Sequence, residues 1–217
     1  MLTLFGNLDS GNVHKVQMIL GTRGLPFRRV DVRQDRGEPR HPAFLTINPM
    51  GKVPALVLEN GDILTESGAM LFYFARGTAL WPSDFRRQTE VLRWMFFEQY
   101  SHEPALAVLR YIKLFSGSPS PQSGRIEDLE RRSKFALDVL NDRLKVTQWV
   151  AGPQPTIADY SLYPYTRLAD EVDLPATNWP AISSWLARVE SLPGVLPVYH
   201  DAAVEVIQFN TYFAAEC

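Results

Sequence analysis

Side chains able to do chemistry are sparse in this chain, and their spacing excludes more than it permits. The single cysteine, Cys217, is the last residue, which excludes an intrachain disulfide framework, a cysteine-based zinc site and an internal Cys-x-x-Cys redox pair. Any sulfur chemistry must use a thiol carried by another molecule. Histidines at 14, 41, 102 and 200 lack the close spacing of a zinc site, so no metal is expected. Neither a Gly-x-x-x-x-Gly-Lys-[Ser/Thr] phosphate loop nor a Gly-x-Ser-x-Gly nucleophile elbow occurs. What remains are polar clusters at the edges of apolar runs. Ser10 and Asn12 precede a helical run that begins at Val13, and Glu66-Ser67 opens another. Hydroxyl and amide groups there can cap a helix or donate to a ligand.

The elements that must hold these clusters change character near residue 80. Leu2 to Phe5 reads as a strand, Val13 to Leu20 as a helix stopped at Gly21 to Gly24, and Phe27 to Val32 as a second strand joined by a right-handed crossover. A short helix around Ala43 to Ile47 follows. Pro54 to Leu58 and Ile63 to Thr65 then flank Asn60-Gly61, a hairpin signal because a type I′ turn needs positive φ at both central residues. Glu66 to Arg76 is helical again. Residues 77 to 85 carry Gly and Pro and read as a connection.

Beyond the connection the helical period dominates. Val91, Trp94, Met95, Glu98, His102 and Ala105 lie along one set of rows, with a kink expected at Pro104. Ile126, Leu129, Ser133, Leu137, Leu140 and Leu144 form a second seam opposite a charged face. Thr156-Ile157-Ala158-Asp159 has capping-box spacing ahead of a buried helix, and Pro180 opens one more. The expected fold is an α/β thioredoxin-like unit, βαβ-α-ββ-α, over residues 1–77, a linker over 78–85 and an all-helical domain over 86–217.

A length of 217 residues fits one large domain or two small ones, and 46% hydrophobic against 21% charged residues is too apolar for disorder. The formal charge of −2 provides no field toward phosphate backbones or anionic membranes, so nucleic acid and membrane are not expected as partners. No stretch approaches the ~18 apolar residues of a membrane span, and the first residues lack a secretory signal layout, which leads us to expect a cytoplasmic protein.

Set side by side, Ser10-Gly11-Asn12, Asn48-Pro49-Met50-Gly51-Lys52-Val53-Pro54, Thr65-Glu66-Ser67-Gly68-Ala69-Met70, the run from Phe96 to Pro104 and the Thr156-x-x-Asp159 box resemble the cytosolic glutathione S-transferase family. The resemblance spans nearly the whole chain and points to bacterial members of Ser/Asn type, Nu-like or theta-like. It implies glutathione as co-substrate, with no metal. Glutathione presents a γ-glutamyl carboxylate and ammonium, a peptide with a thiol, and a glycyl carboxylate. By resemblance, the helix entry at Glu66-Ser67 receives the first carboxylate on backbone N–H groups and the serine hydroxyl while Glu66 attracts the ammonium. Val53 lends its N–H and C=O to the cysteinyl part like an added strand, a geometry that a cis Pro54 supplies. Arg40 and Lys52 are candidates for the glycyl carboxylate. The family often has His or Gln where this chain has Pro39, so His41 or Arg40 is expected to stand in.

The thiol must ionise to attack. Ser10 is the first candidate to donate to its sulfur, Asn12 the rival, and either also fits a simple cap. His102, Glu103 and Tyr111 are candidates for lining the second-substrate cleft or reaching the neighbouring subunit, with Phe115, Phe209 and Tyr212 as further apolar wall. Three functions follow: conjugation of the glutathione thiolate to small apolar electrophiles, as in detoxification; glutathione-dependent disulfide or peroxide reduction; and a non-catalytic glutathione-binding or assembly module. The resemblance also implies a homodimer with each cleft between the two domains of one subunit.

Overall fold

The computed structural model describes residues 1–116 and 123–215; Cys217 lies outside them. The chain divides into two compact units, residues 1–74 together with 193–217, and residues 75–192.

The first unit starts as expected. Strand β1 (Leu2–Phe5) leads into helix α1 (Gly11–Thr22), and β2 (Phe27–Asp31) returns parallel to β1 with Leu2 opposite Phe27 and Phe5 opposite Val30. Two 3-10 turns, Gln34–Arg36 and Glu38–Arg40, precede the one-turn helix α2 (Pro42–Leu45). Strands β3 (Ala55–Val57) and β4 (Ile63–Thr65) complete an antiparallel pair, and β3 runs antiparallel to β1. Helix α3 (Ser67–Ala75) follows directly. The β3–β4 connection departs from the two-residue turn. Only Gly61 of the Asn-Gly pair has positive φ (88°), and the Asn60 amide instead accepts from the Asp62 N–H (3.1 Å) and donates to its carboxylate (2.7 Å). Asn60 shapes the loop through its side chain rather than through its own backbone.

Residues 75–192 are helical, with α4 (Phe85–Phe97), α5 (Glu103–Leu114), α6 (Ser123–Val146), α7 (Ile157–Arg167) and α8 (Pro180–Glu190). The break expected at Pro104 takes the form of a π turn over Glu98–His102 between α4 and α5. A proline clashes with the carbonyl four residues back and offers it no N–H, and widening the preceding turn relieves both demands. The capping box is present: Thr156 caps α7 and Asp159 reaches back to the Thr156 N–H (2.9 Å). Asp159 is fully buried and also accepts from the Val150 N–H and the Trp185 indole N–H, both at 2.9 Å. It therefore joins the α7 start to the loop before it and to the face of α8.

The domain boundary at 86–217 needs correction, because residues 193–217 belong to the first unit. They supply strand β5 (Glu205–Gln208) and helix α9 (Phe209–Ala215), neither of which the sequence announces. β5 pairs parallel to β2, Arg28 opposite Glu205 through Asp31 opposite Gln208, giving the sheet order β4-β3-β1-β2-β5. The segment is fastened along its length. Gly21 and Gly194 cross so closely that a Cβ on Gly21 would stand 2.4 Å from the Gly194 carbonyl oxygen. Asp201 takes two hydrogen bonds from Arg29 (3.0 and 2.8 Å), and the Ala202 N–H donates to Gln17 on α1 (3.1 Å). The expected linker at 78–85 likewise falls inside the 75–192 unit.

Candidate functional site

The first unit carries most of the sequence-derived candidates, and a run of contacts ties them together. Ser10 is the N-cap of α1: its hydroxyl oxygen accepts from the Val13 N–H at 3.4 Å, and the residue is buried. Capping uses a lone pair and leaves the hydroxyl hydrogen available. Asn7, which the sequence reading passed over, shapes the same loop, since its carbonyl accepts the Ser10 N–H (3.3 Å) and its amide donates to Asp9 (3.1 Å). Asn12 is the second residue of α1, and its amide oxygen accepts from the Ser67 hydroxyl at 3.4 Å.

Ser67 is buried at the first position of α3, and Glu66 before it is exposed. Glu66 has φ 66°, a left-handed conformation that costs a non-glycine residue of order 1 kcal/mol and marks sites where backbone direction matters. Its carbonyl accepts the Met70 N–H (3.0 Å), so α3 begins immediately beyond it. Among the described residues no side chain caps the first-turn N–H groups of α3, and the Glu66 carboxylate has no partner. This combination can take a carboxylate on the helix start and an ammonium on Glu66.

Val53 and Pro54 are joined by a cis peptide bond. Both are buried, yet the Val53 N–H and C=O have no hydrogen-bond partner among the described residues. Two open backbone groups ahead of β3 are what a peptide needs to add itself as a strand. The Val53 side chain lies beside Gly6 and so beside the loop that carries Ser10. Upstream, the Asn48 amide donates to the Lys52 carbonyl (2.7 Å) and accepts from the Met50 N–H (3.1 Å), bracing the bend into Val53. Gly51, at φ 59°, lets the Arg40 side chain approach, since a Cβ there would stand 3.0 Å from Nη1 and 2.8 Å from the Pro39 carbonyl oxygen. Arg40 and Lys52 are both exposed. His41 caps α2, its Nδ1 accepting from the Ala43 N–H at 3.2 Å.

Residues 9–76 match the description Glutathione S-transferase, N-terminal domain, and residues 106–193 match Glutathione S-transferase, C-terminal domain. The chain belongs to the glutathione S-transferase family. A crystal structure of a glutathione S-transferase from Pseudomonas fluorescens Pf-5 is similar at 40% identity and TM-score 0.88, over 92% of this chain and 99% of that one. A glutathione transferase from Burkholderia graminis, described with two glutathione molecules bound per subunit, is 29% identical at TM-score 0.79, over 89% and 85% of the two chains. The disulfide-bond oxidoreductase YfcG of Escherichia coli is 29% identical over 84% of this chain and 87% of its own length. The C-terminal match stops at 193, where the returning segment begins.

Candidates in the helical unit fare differently. His102 is fully buried in the π turn, with Nε2 at 2.9 Å from the Thr166 hydroxyl. That hydroxyl donates to the Leu162 carbonyl (2.7 Å), so the imidazole is the donor in their bond. A ring enclosed this way offers no surface to a substrate, and the expectation that it lines a cleft is corrected. Glu98, also fully buried, accepts from the Ser161 hydroxyl (3.1 Å). Glu103 is half-buried at the start of α5, whereas Tyr111 is exposed beside Phe115 (ring centroids 6.5 Å). Phe209 and Tyr212, expected on the second-substrate wall, make ring contacts within the first unit, Phe209 with His41 (5.3 Å) and Tyr212 with Phe5 (5.1 Å). Among the described residues no group of three or more metal-ligating side chains gathers, and no helix is long and apolar enough to cross a membrane.

Proposed function

We propose that this chain conjugates the thiolate of glutathione to small, apolar electrophiles. One observation carries the reading: Val53's open peptide, the uncapped α3 start at Glu66-Ser67 and the Ser10/Asn12 donors are linked through the Gly6 and Ser67–Asn12 contacts. The tripeptide lies along Val53, with its γ-glutamyl end at Glu66 and Ser67 and its glycyl end toward Arg40, His41 and Lys52. Its sulfur faces the α1 start. A free thiol titrates near 8.5, and lowering it by about two units needs roughly 2.7 kcal/mol of preferential thiolate stabilisation, within reach of one or two donors and the helix's positive end. The thiolate attacks an electrophilic carbon and the leaving group departs; the electrostatic setting of the sulfur supplies most of the acceleration.

The test is Ser10→Ala and Asn12→Ala, singly, with an activated aryl halide and spectroscopic titration of the bound thiol. At least one variant raises the thiol pKa by about a unit and slows conjugation about tenfold. If both leave rate and pKa unchanged, the mechanism is wrong.

Similarity to the disulfide-bond oxidoreductase YfcG favours a second reading. The same thiolate would attack a substrate disulfide, releasing one thiol and leaving a mixed disulfide that a second glutathione resolves to oxidised glutathione. A small disulfide assayed beside the aryl halide separates the two. The active form is a homodimer in the cytoplasm; exposed Phe85, Leu92 and Phe96 on one face of α4 support an apolar partner surface. Sedimentation giving a monomer at micromolar concentration would refute the dimer.

A further inference from the structure

We infer that Phe209, from the C-terminal segment, is a positioning residue that aims His41 at the glycyl carboxylate of glutathione. The inference rests on the reading that the first unit binds the tripeptide, and it names the residue that replaces the side-chain donor Pro39 cannot supply. Pro39 is buried and carries no polar side-chain group, so the donor that the family resemblance implies at this position falls to a neighbour. His41 qualifies by its own hydrogen bond. Nδ1 accepts the Ala43 N–H, which requires that nitrogen to be bare and puts the ring hydrogen on Nε2. The residue is exposed, and Nε2 has no hydrogen-bond partner among the described residues. Arg40 precedes it in the chain, with its side chain along Gly51, and Lys52 follows Gly51. On the proposed reading, a carboxylate bound there takes the His41 donor, with the exposed Arg40 and Lys52 on neighbouring segments of the chain.

One hydrogen bond leaves the imidazole free to swing, and the second restraint comes from the tail. Phe209 stands edge-on to His41, centroids 5.3 Å apart at 81°, and is 4% exposed. It is itself held from both sides. Gln208 before it is in register with Asp31, and Phe213, one turn on, packs at 4.7 Å. Phe213 and Tyr212 seat on Phe5, with the Arg28 guanidinium 5.6 Å over the Tyr212 ring. The tail therefore delivers Phe209 to a fixed place beside the cap of α2, and affinity for the tripeptide depends on a segment more than 160 positions away in sequence.

Calorimetry on the full chain tests this, with glutathione and its glycyl monoethyl ester, which lacks that carboxylate. Phe209→Ala weakens glutathione binding about tenfold, the loss of one oriented hydrogen bond to a charged group, and leaves the ester's affinity as in the parent protein. Phe209→Tyr, which keeps the ring edge, retains glutathione affinity. His41→Ala reproduces the loss, and the double variant is no weaker than either single one. Equal weakening of glutathione and ester, unchanged glutathione affinity in Phe209→Ala or in His41→Ala, or additive losses in the double variant would each overturn the inference. Should Phe209→Ala not fold, Phe209→Leu, which keeps an apolar side chain but removes the ring edge, decides: glutathione binding weakened with the ester unaffected supports the inference, and unchanged glutathione affinity overturns it. If the parent protein binds no glutathione, the functional reading fails, and the inference with it, before any variant is made.

Discussion

Two helices of this protein open on buried polar side chains and use them in opposite ways. At the start of α7, Asp159 is fully enclosed, and its two oxygens take up the N–H groups of Val150, Thr156 and Trp185. At the start of α3, Ser67 is also buried, but the N–H groups around it and the Glu66 carboxylate beside it have no partner among the described residues. Closed hydrogen bonding at α7 contributes to stability, since every group that left water has found a substitute. Open hydrogen bonding at α3 withholds part of that stability, and on the proposed reading leaves it for a ligand. A helix start thus becomes a staple or a receptor according to whether its own chain completes it.

The largest effect that can break this comparison is at Asp159. Asp159→Ala strands three buried donors and removes the link between α7 and α8, and we expect a loss of about 4 kcal/mol in urea unfolding; a loss below about 1 kcal/mol would mean the network is decorative. Next comes the interior of the first unit. Burial holds His14 down to about 4 from 6.5, opposed only in part by its bond to the Leu196 backbone. Because the folded value is depressed, the unfolded chain takes up a proton first as pH falls below 6.5, and stability declines until about pH 4 is reached, by up to about 3 kcal/mol. Comparing unfolding midpoints at pH 7 and 4.5 for the parent and for His14→Gln isolates this contribution; equal acid sensitivity in both would exclude it.

Ser67→Ala addresses the open helix start directly. Glutathione affinity should fall about tenfold, near 1.4 kcal/mol, while the unfolding midpoint barely moves. A large stability loss with intact binding would reverse the roles assigned to α3 and α7. The smallest effect sharpens the contrast between buried and exposed polar groups: Asp142, which pairs with Lys145 on the solvent face of α6 at 2.7 Å, should cost less than about 0.5 kcal/mol when replaced by Ala.

How much of this was legible in the sequence follows from how local each feature is. The capping box at Thr156 to Asp159, the breaks at Gly21 to Gly24 and the helical rows from Val91 to Leu144 were all readable, because their causes act within a few residues. The candidate site residues of the first unit were singled out only as a pattern resembling a family's, and their roles stay part of the proposal. Nothing in Val53 or Ser67 taken alone distinguishes a ligand contact from a strand start or a cap. The sequence misled where a fate depends on distant partners. His102 lies on a helical row and resembles a cleft residue until Thr166, 64 positions on, encloses it. Phe209 and Tyr212 read as helical aromatics, and their destination is set by Phe5 and His41 near the other end of the chain.

The fifth strand shows the division most clearly. Residues 205–208 make a short, mostly exposed run with no alternation strong enough to mark it. It is a strand because β2 had an unpaired edge, and because Arg29, Gln17 and the Gly21–Gly194 crossing guide the returning chain to it. By itself the sequence determined the helices, the turns and the chemical types available, through propensity and periodicity acting over a turn or two. Only the tertiary structure decided which polar groups are closed and which stay open, because a hydrogen bond between residues far apart in the chain exists only once the loop between them has been closed.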